Sequence, residues 1–269
     1  SDIYGTQHGR NTRKNGDRVI PTPIWITEVN IAPNESDPNI TVDRALAIKA
    51  KTTARYLTFY LNKGATEVDL YAAVEADRGL GIVKEDFITY AVQSGVPYPA
   101  DDSLYVSPAL KTIQRMVAQM SQDRDPTLTE LRPLVVESIR DTHNHHQFQG
   151  DGSPARPTLY NRELFTFLPY QVNAKRFVIP YYIMTRDVLN DMEPEQYIVT
   201  VKGLRAAGTT MTAYDPIQNR NLPVKVTQAY NSQSSPQSHS QDATNQDTSS
   251  LTLELTATDY PYLLIVDEA

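Results

Sequence analysis

The apolar pattern of this chain changes its period once. Up to about Asp125 apolar residues recur in the order strand, long helix, strand, helix; after Leu128 they come in short β-favouring runs between turn signals. The first half reads as α/β and the second as all-β. Pro23-Ile24-Trp25-Ile26-Thr27-Glu28-Val29-Asn30-Ile31 reads as a short strand buried on both faces, as in a parallel sheet. Thr41 to Lys63 reads as a helix, with Thr41 as N-cap, Gly64 as stop, and Val42, Leu46, Ala50, Ala54, Leu57 and Leu61 as its apolar stripe. Glu67 to Val74 reads as a second strand, completing a βαβ unit with parallel strands. Glu75 to Val106 reads as irregular. Ser107-Pro108 then opens a helix with Leu110, Ile113, Val117 and Met120 as its stripe.

Beyond Leu128 the β runs are Leu134–Val136, Leu164–Leu168, Arg176–Met184, Gln196–Val201, Thr209–Tyr214, Val224–Gln228, Leu251–Thr256 and Tyr262–Val266. Gly203, Gly208, Asp215-Pro216 and Leu222-Pro223 separate several of them, which predicts an antiparallel sandwich or barrel. The Ser-, Gln- and Asn-rich segment near 230–250 reads as a long, disordered loop. The expected domains are thus 1–127 and 128–269.

Composition narrows the function. The 269 residues carry a formal net charge of −7, so no basic footprint for nucleic acid exists. No run of about 18 apolar residues predicts a membrane span. The chain has no cysteine, which removes disulfides, thiolate nucleophiles and thiolate-ligated metals. The first residue is Ser1 and no signal peptide precedes the fold, so a processed chain or a piece of a longer one is expected.

Glu28 is the residue that asks for a reason. It stands at the carboxyl end of the predicted parallel strand, where active sites of α/β barrels gather. Pairing with a neighbouring Lys or Arg is the plain alternative. Tyr71, Glu75 and Asp77 lie at the end of the second strand, and Gln7-His8-Gly9-Arg10 lies just upstream of the first. His143, His145 and His146 cluster between β runs; their spacing fits an exposed loop better than the fixed frame of a zinc site, and no metal is expected.

The string Trp25-Ile26-Thr27-Glu28-Val29-Asn30 resembles the strand-seven segment of clan A retaining glycoside hydrolases. The helix containing Ala54-Arg55-Tyr56-Leu57 and the strand from Thr66 to Val74 are similar to helix seven and strand eight of that clan. The β-rich remainder resembles the sandwich appended to family 39 and its neighbours. The resemblance implies the last strands and helices of a (β/α)8 barrel followed by an antiparallel β-sandwich. It implies Glu28 as nucleophile in a double-displacement mechanism, with Trp25, Asn30, Tyr71, Glu75 and His8 near a carbohydrate substrate, and no cofactor. The clan's acid/base is the Glu of an Asn-Glu pair at the end of strand four. Only 27 residues precede Glu28, and Asn34-Glu35 follows it, so that role is not transferred. The acid/base, with about six barrel units, is expected from an upstream segment or an N-terminal companion chain. The chain also departs from the clan in having no Trp after Trp25. Secretion or a place in the cell envelope is the matching expectation. Two other readings stand beside this one: a non-catalytic carbohydrate-binding or structural sandwich, and an assembly subunit whose strands complete a partner's sheet.

Overall fold

The structure is a computed structural model that describes residues 12–15, 18–21, 23–33, 37–74, 81–95, 106–205, 207–230 and 250–269. Its contacts divide the chain into two units, Ser1–Pro108 and Ala109–Ala269.

In the first unit β1 (Thr12–Asn15) and β2 (Arg18–Pro21) form an antiparallel hairpin. β3 (Trp25–Val29) pairs in parallel with β4 (Glu67–Leu70), and α1 (Val42–Asn62) connects them. Thr41 caps α1 by accepting from the Arg44 N–H at 3.3 Å, and Lys63 ends the helix. Its buried positions include Ala45, Ile48, Ala50 and Ala54, while Val42 and Leu61 at the ends of the predicted stripe are exposed. The stretch read as irregular contains α2 (Glu85–Ser94), which stops at Gly95 in the left-handed region, φ 67°. A residue without a Cβ adopts that conformation at no steric cost.

The second unit takes in most of α3 (Pro108–Ser121), whereas the composition placed the change near Leu128. Its buried face is Ala109, Thr112 and Met116, one residue earlier than the predicted stripe; Val117 is exposed. The small Ala109 and Thr112 allow close approach, and Arg115 donates to the carbonyls of Pro216 and Ile217 at 2.9 and 2.7 Å. Two antiparallel sheets follow. The four-stranded sheet has the order β14 (Lys225–Tyr230), β15 (Ser250–Ala257), β11 (Glu195–Lys202), β5 (Val135–Arg140). The larger sheet has the order β13 (Arg220–Leu222), β12 (Thr210–Asp215), β16 (Tyr262–Asp267), β10 (Arg176–Ile183), β8 (Phe165–Phe167), with β9 (Tyr170–Gln171) also on β10. A small hairpin of β6 (His146–Phe148) and β7 (Leu159–Tyr160) precedes a single 3-10 turn, Asn161–Leu164.

Alternation along the strands builds one core between the sheets. Phe177, Ile179, Tyr181 and Ile183 of β10 and Tyr262, Leu264 and Val266 of β16 meet Tyr197, Val199 and Val201 of β11 and Leu251, Leu253 and Leu255 of β15. Tyr181, Tyr182 and Tyr262 are core residues.

These observations correct the fold class. The described residues contain three α-helices, 24% helix against 35% strand, and the sheets are mostly antiparallel. A barrel of alternating strands and helices would pair every strand on both edges with parallel neighbours. Among the described residues β3 and β4 pair in parallel only with each other, and no sheet closes into a barrel. The expected burial of the first strand on both faces fails for the same reason, since Trp25 is 60% exposed. No described helix is long and apolar enough to cross a membrane.

Candidate functional site

Glu28 is positioned by an irregularity in β3. Trp25 pairs with Glu67 and Ile26 with Val68, yet the next pair is Val29 with Leu70, so β3 carries one extra residue across Thr27 and Glu28. Ile26 and Val29 are half-buried, while Thr27 and Glu28 are turned out to solvent. Such a bulge re-aims side chains locally and is frequent beside active sites. Asp69, also exposed, lies opposite the bulge on β4. Past the strand the Asn30 side chain accepts from the Ile31 N–H at 2.8 Å, and the Tyr56 hydroxyl of α1 donates to the Asn30 carbonyl at 3.3 Å. Burial pushes the Tyr56 pKa up, so this donor keeps its proton. The exit of β3 is thereby tied to α1.

The carboxyl ends of the two strands bring Glu28, Asn30 and Tyr71 to one end of the sheet, with Tyr71 48% exposed. Trp25 stands at the opposite end of β3. His8, Glu75, Asp77 and Asn34-Glu35 lie outside the described residues. Among the described residues no hydrogen bond or ion pair engages the Glu28 carboxylate, and the Lys or Arg partner that would make it structural is absent from them.

The second unit holds a polar centre on Glu195, the first residue of β11. β5 and β11 run antiparallel with Arg140 opposite Ile198. Continuing that register by three residues sets His143 opposite Glu195. The His143 ring Nε2 lies 2.5 Å from Glu195 Oε2, and His145 Nδ1 meets Oε1. Asn161 Nδ2 and the Tyr197 hydroxyl donate to Oε2 at 3.0 and 2.9 Å, and Gln147 Nε2 donates to Asn161 Oδ1 at 2.9 Å. Burial raises the pKa of Glu195, but the bonds from Asn161, His145 and Tyr197 and the nearby His143 outweigh it and hold the carboxyl below its usual range. Asp141 Oδ1 accepts from Arg162 at 3.0 Å, whereas its Oδ2 is buried without a hydrogen bond, 4.0 Å from His143 Nδ1. His143, His145 and Glu195 each present a ligand atom, all within 4.8 Å of one another, a set that could hold a metal.

The sequence flagged the histidines but read them as an exposed loop. His143 is in fact half-buried, and its partner lies 52 residues away, beyond any local spacing. Only the strand register links the two. No protein-family model, curated protein or solved structure matches this chain.

Proposed function

We propose that the chain takes part in retaining hydrolysis of glycosidic bonds, with Glu28 as the nucleophile. The observation that carries this reading is the bulge that turns Glu28, unpaired among the described residues, outward at the carboxyl end of a parallel strand pair. Ligands of open parallel sheets gather at that end. In the reaction the Glu28 carboxylate attacks the anomeric carbon while a second carboxyl protonates the departing oxygen; water then releases the sugar from the glycosyl-enzyme ester. The exposed Tyr71 ring supplies a stacking surface, and Asn30 a polar edge, beside the nucleophile. The second carboxyl must lie about 5–5.5 Å from the first. It comes from a companion chain or a further segment; Asp69, across the bulge, is the described carboxylate against which that assignment is tested.

The experiment uses the purified protein with any chain that accompanies it. A panel of 2-deoxy-2-fluoro glycosides with good leaving groups is expected to trap an adduct on the peptide containing Glu28. Glu28→Gln is expected to abolish both adduct and turnover while Asp69→Asn retains them. Turnover that survives Glu28→Gln, or an adduct on another residue, sinks the reading.

A further inference from the structure

We propose that His143, His145 and Glu195 of the second unit form a binding site for a single divalent ion of the zinc class. The ligand set is two imidazoles and a carboxylate, a combination that suits zinc and its neighbours rather than calcium or magnesium. Donors bound to zinc at about 2.0–2.2 Å sit roughly 3.3 Å apart. The three donors here all lie within 4.8 Å and are now in hydrogen-bond contact around the Glu195 carboxylate. The protons shared between those rings and that carboxylate are the ones an entering cation displaces. A modest widening then admits the ion.

The surroundings point the same way. Metal-bound histidines donate their other ring nitrogen to a carboxylate or carbonyl. His143 has Nε2 on Glu195 and Nδ1 facing Asp141, whose buried Oδ2 carries no hydrogen bond. A small rotation closes that 4.0 Å gap and supplies the missing donor to Asp141. Arg162 holds the other oxygen of Asp141 and also reaches Asn144 Oδ1 at 3.2 Å, which steadies the loop that carries both histidines. Asn161, 2% exposed, and the Tyr197 hydroxyl fix the Glu195 carboxylate from behind. Two carboxyl groups, Glu195 and Asp141, thus stand around the imidazoles with one guanidinium, Arg162, on Asp141. The His145 side chain is 66% exposed, so solvent reaches the site and water completes the coordination.

The test is calorimetric titration of the full chain, freed of metal by chelator and dialysis, with zinc chloride. One ion per chain is expected. His145→Ala, at an exposed position, should weaken binding at least tenfold while lowering the metal-free unfolding midpoint only slightly, through its one lost contact to Glu195. Asp141→Asn should weaken it about 10- to 100-fold through the Nδ1 partner. His146→Ala, the adjacent histidine outside the set, should bind like the parent. Nitrogen-15 spectra of the imidazoles should show zinc shifting His143 and His145 but not His146, a change that a purely hydrogen-bonded cluster would not give. Absence of stoichiometric binding, or binding that survives His145→Ala, overturns the site. Glu195→Gln should weaken binding at least tenfold, and should it fail to fold, the His145→Ala and imidazole results decide the matter alone.

Discussion

Tyr181 and Tyr260 are aromatic neighbours of Tyr262 in the second unit, and their hydroxyls have different fates. The Tyr260 hydroxyl donates to Asp215 Oδ2 at 3.0 Å, and the other oxygen of Asp215 accepts from the N–H groups of Ile217 and Gln218 at 3.0 Å each. Burial, with Tyr262 and Asp215 beside it, pushes the Tyr260 pKa far up, so it remains a donor. The Tyr181 hydroxyl is fully buried and has no hydrogen-bond partner. Burial, with Tyr262 and Asp215 nearby, likewise raises its pKa and keeps it neutral. A buried hydroxyl without a partner costs about 1–3 kcal/mol, whereas a bond to a carboxylate contributes about 1.5–3 kcal/mol. Tyr181→Phe is therefore expected to leave stability unchanged or raise it by about 1–2 kcal/mol. Tyr260→Phe is expected to lower it by about 1.5–3 kcal/mol. Urea midpoints of the two variants check the contrast, and equal losses would refute it.

Among the elements, α1 shows what local pattern can and cannot tell. Its limits were legible because a Thr cap and a Gly stop act within one turn. Its buried face was less legible, since burial depends on what packs against it; Lys49, Lys51, Thr52 and Thr53 are buried beside the apolar positions. The shifted face of α3 has the same origin. Periodicity finds a stripe of large apolar residues, but packing selected the face one position away, where Ala109 and Thr112 are smaller than Leu110 and Ile113. Lys49 makes the energetic consequence measurable. Its ammonium nitrogen is buried without a hydrogen-bond partner, and burial pushes its pKa down to about 8. The folded state thus releases the Lys49 proton near pH 8, while an unfolded lysine holds it to about 10.4. Between those values the unfolded chain binds more protons, so stability rises with pH. Below pH 8 the charged form is retained in both states and the burial cost is present in full, about 3 kcal/mol for a shift of this size. Lys49→Met is expected to stabilise the first unit at neutral pH by a similar amount and to abolish the rise between pH 8 and 10. A parent protein with the same urea midpoint at pH 7.5 and 9.5 would refute the assignment.

For the whole molecule, the limit of the sequence lay in pairing. Most β runs of the second unit were visible as runs, because alternation and turn residues are local. Which strands neighbour one another was not: β10 pairs with β16, nearly ninety positions later, and only that adjacency creates the shared core. A strand–helix–strand order likewise reveals parallel pairing but not how many strands the sheet contains, and the barrel expectation failed at that step. Glu268 displays the long-range order most directly. Its fully buried carboxylate follows β16 and accepts from Arg132 Nη2 at 2.5 Å and from the Arg205 N–H at 2.8 Å. Arg132 precedes β5 and Arg205 follows β11, so one carboxylate joins the ends of both sheets. The Arg132 guanidinium also stacks on Phe177 of β10, 4.8 Å from the ring centre. Removing one partner of a buried ion pair leaves an uncompensated charge at a cost of about 3–5 kcal/mol. Glu268→Ala is expected to lose that much and to shift a single urea transition of the second unit without changing its slope, because both sheets lose the same tie. Glu268→Gln keeps the acceptor for the Arg205 N–H and is expected to lose less. Since the carboxylate is shielded from solvent ions, the difference between parent and Glu268→Ala should persist at high salt. A loss that vanishes with salt, or a transition that splits in two, would show that the carboxylate acts at the surface or within one sheet alone.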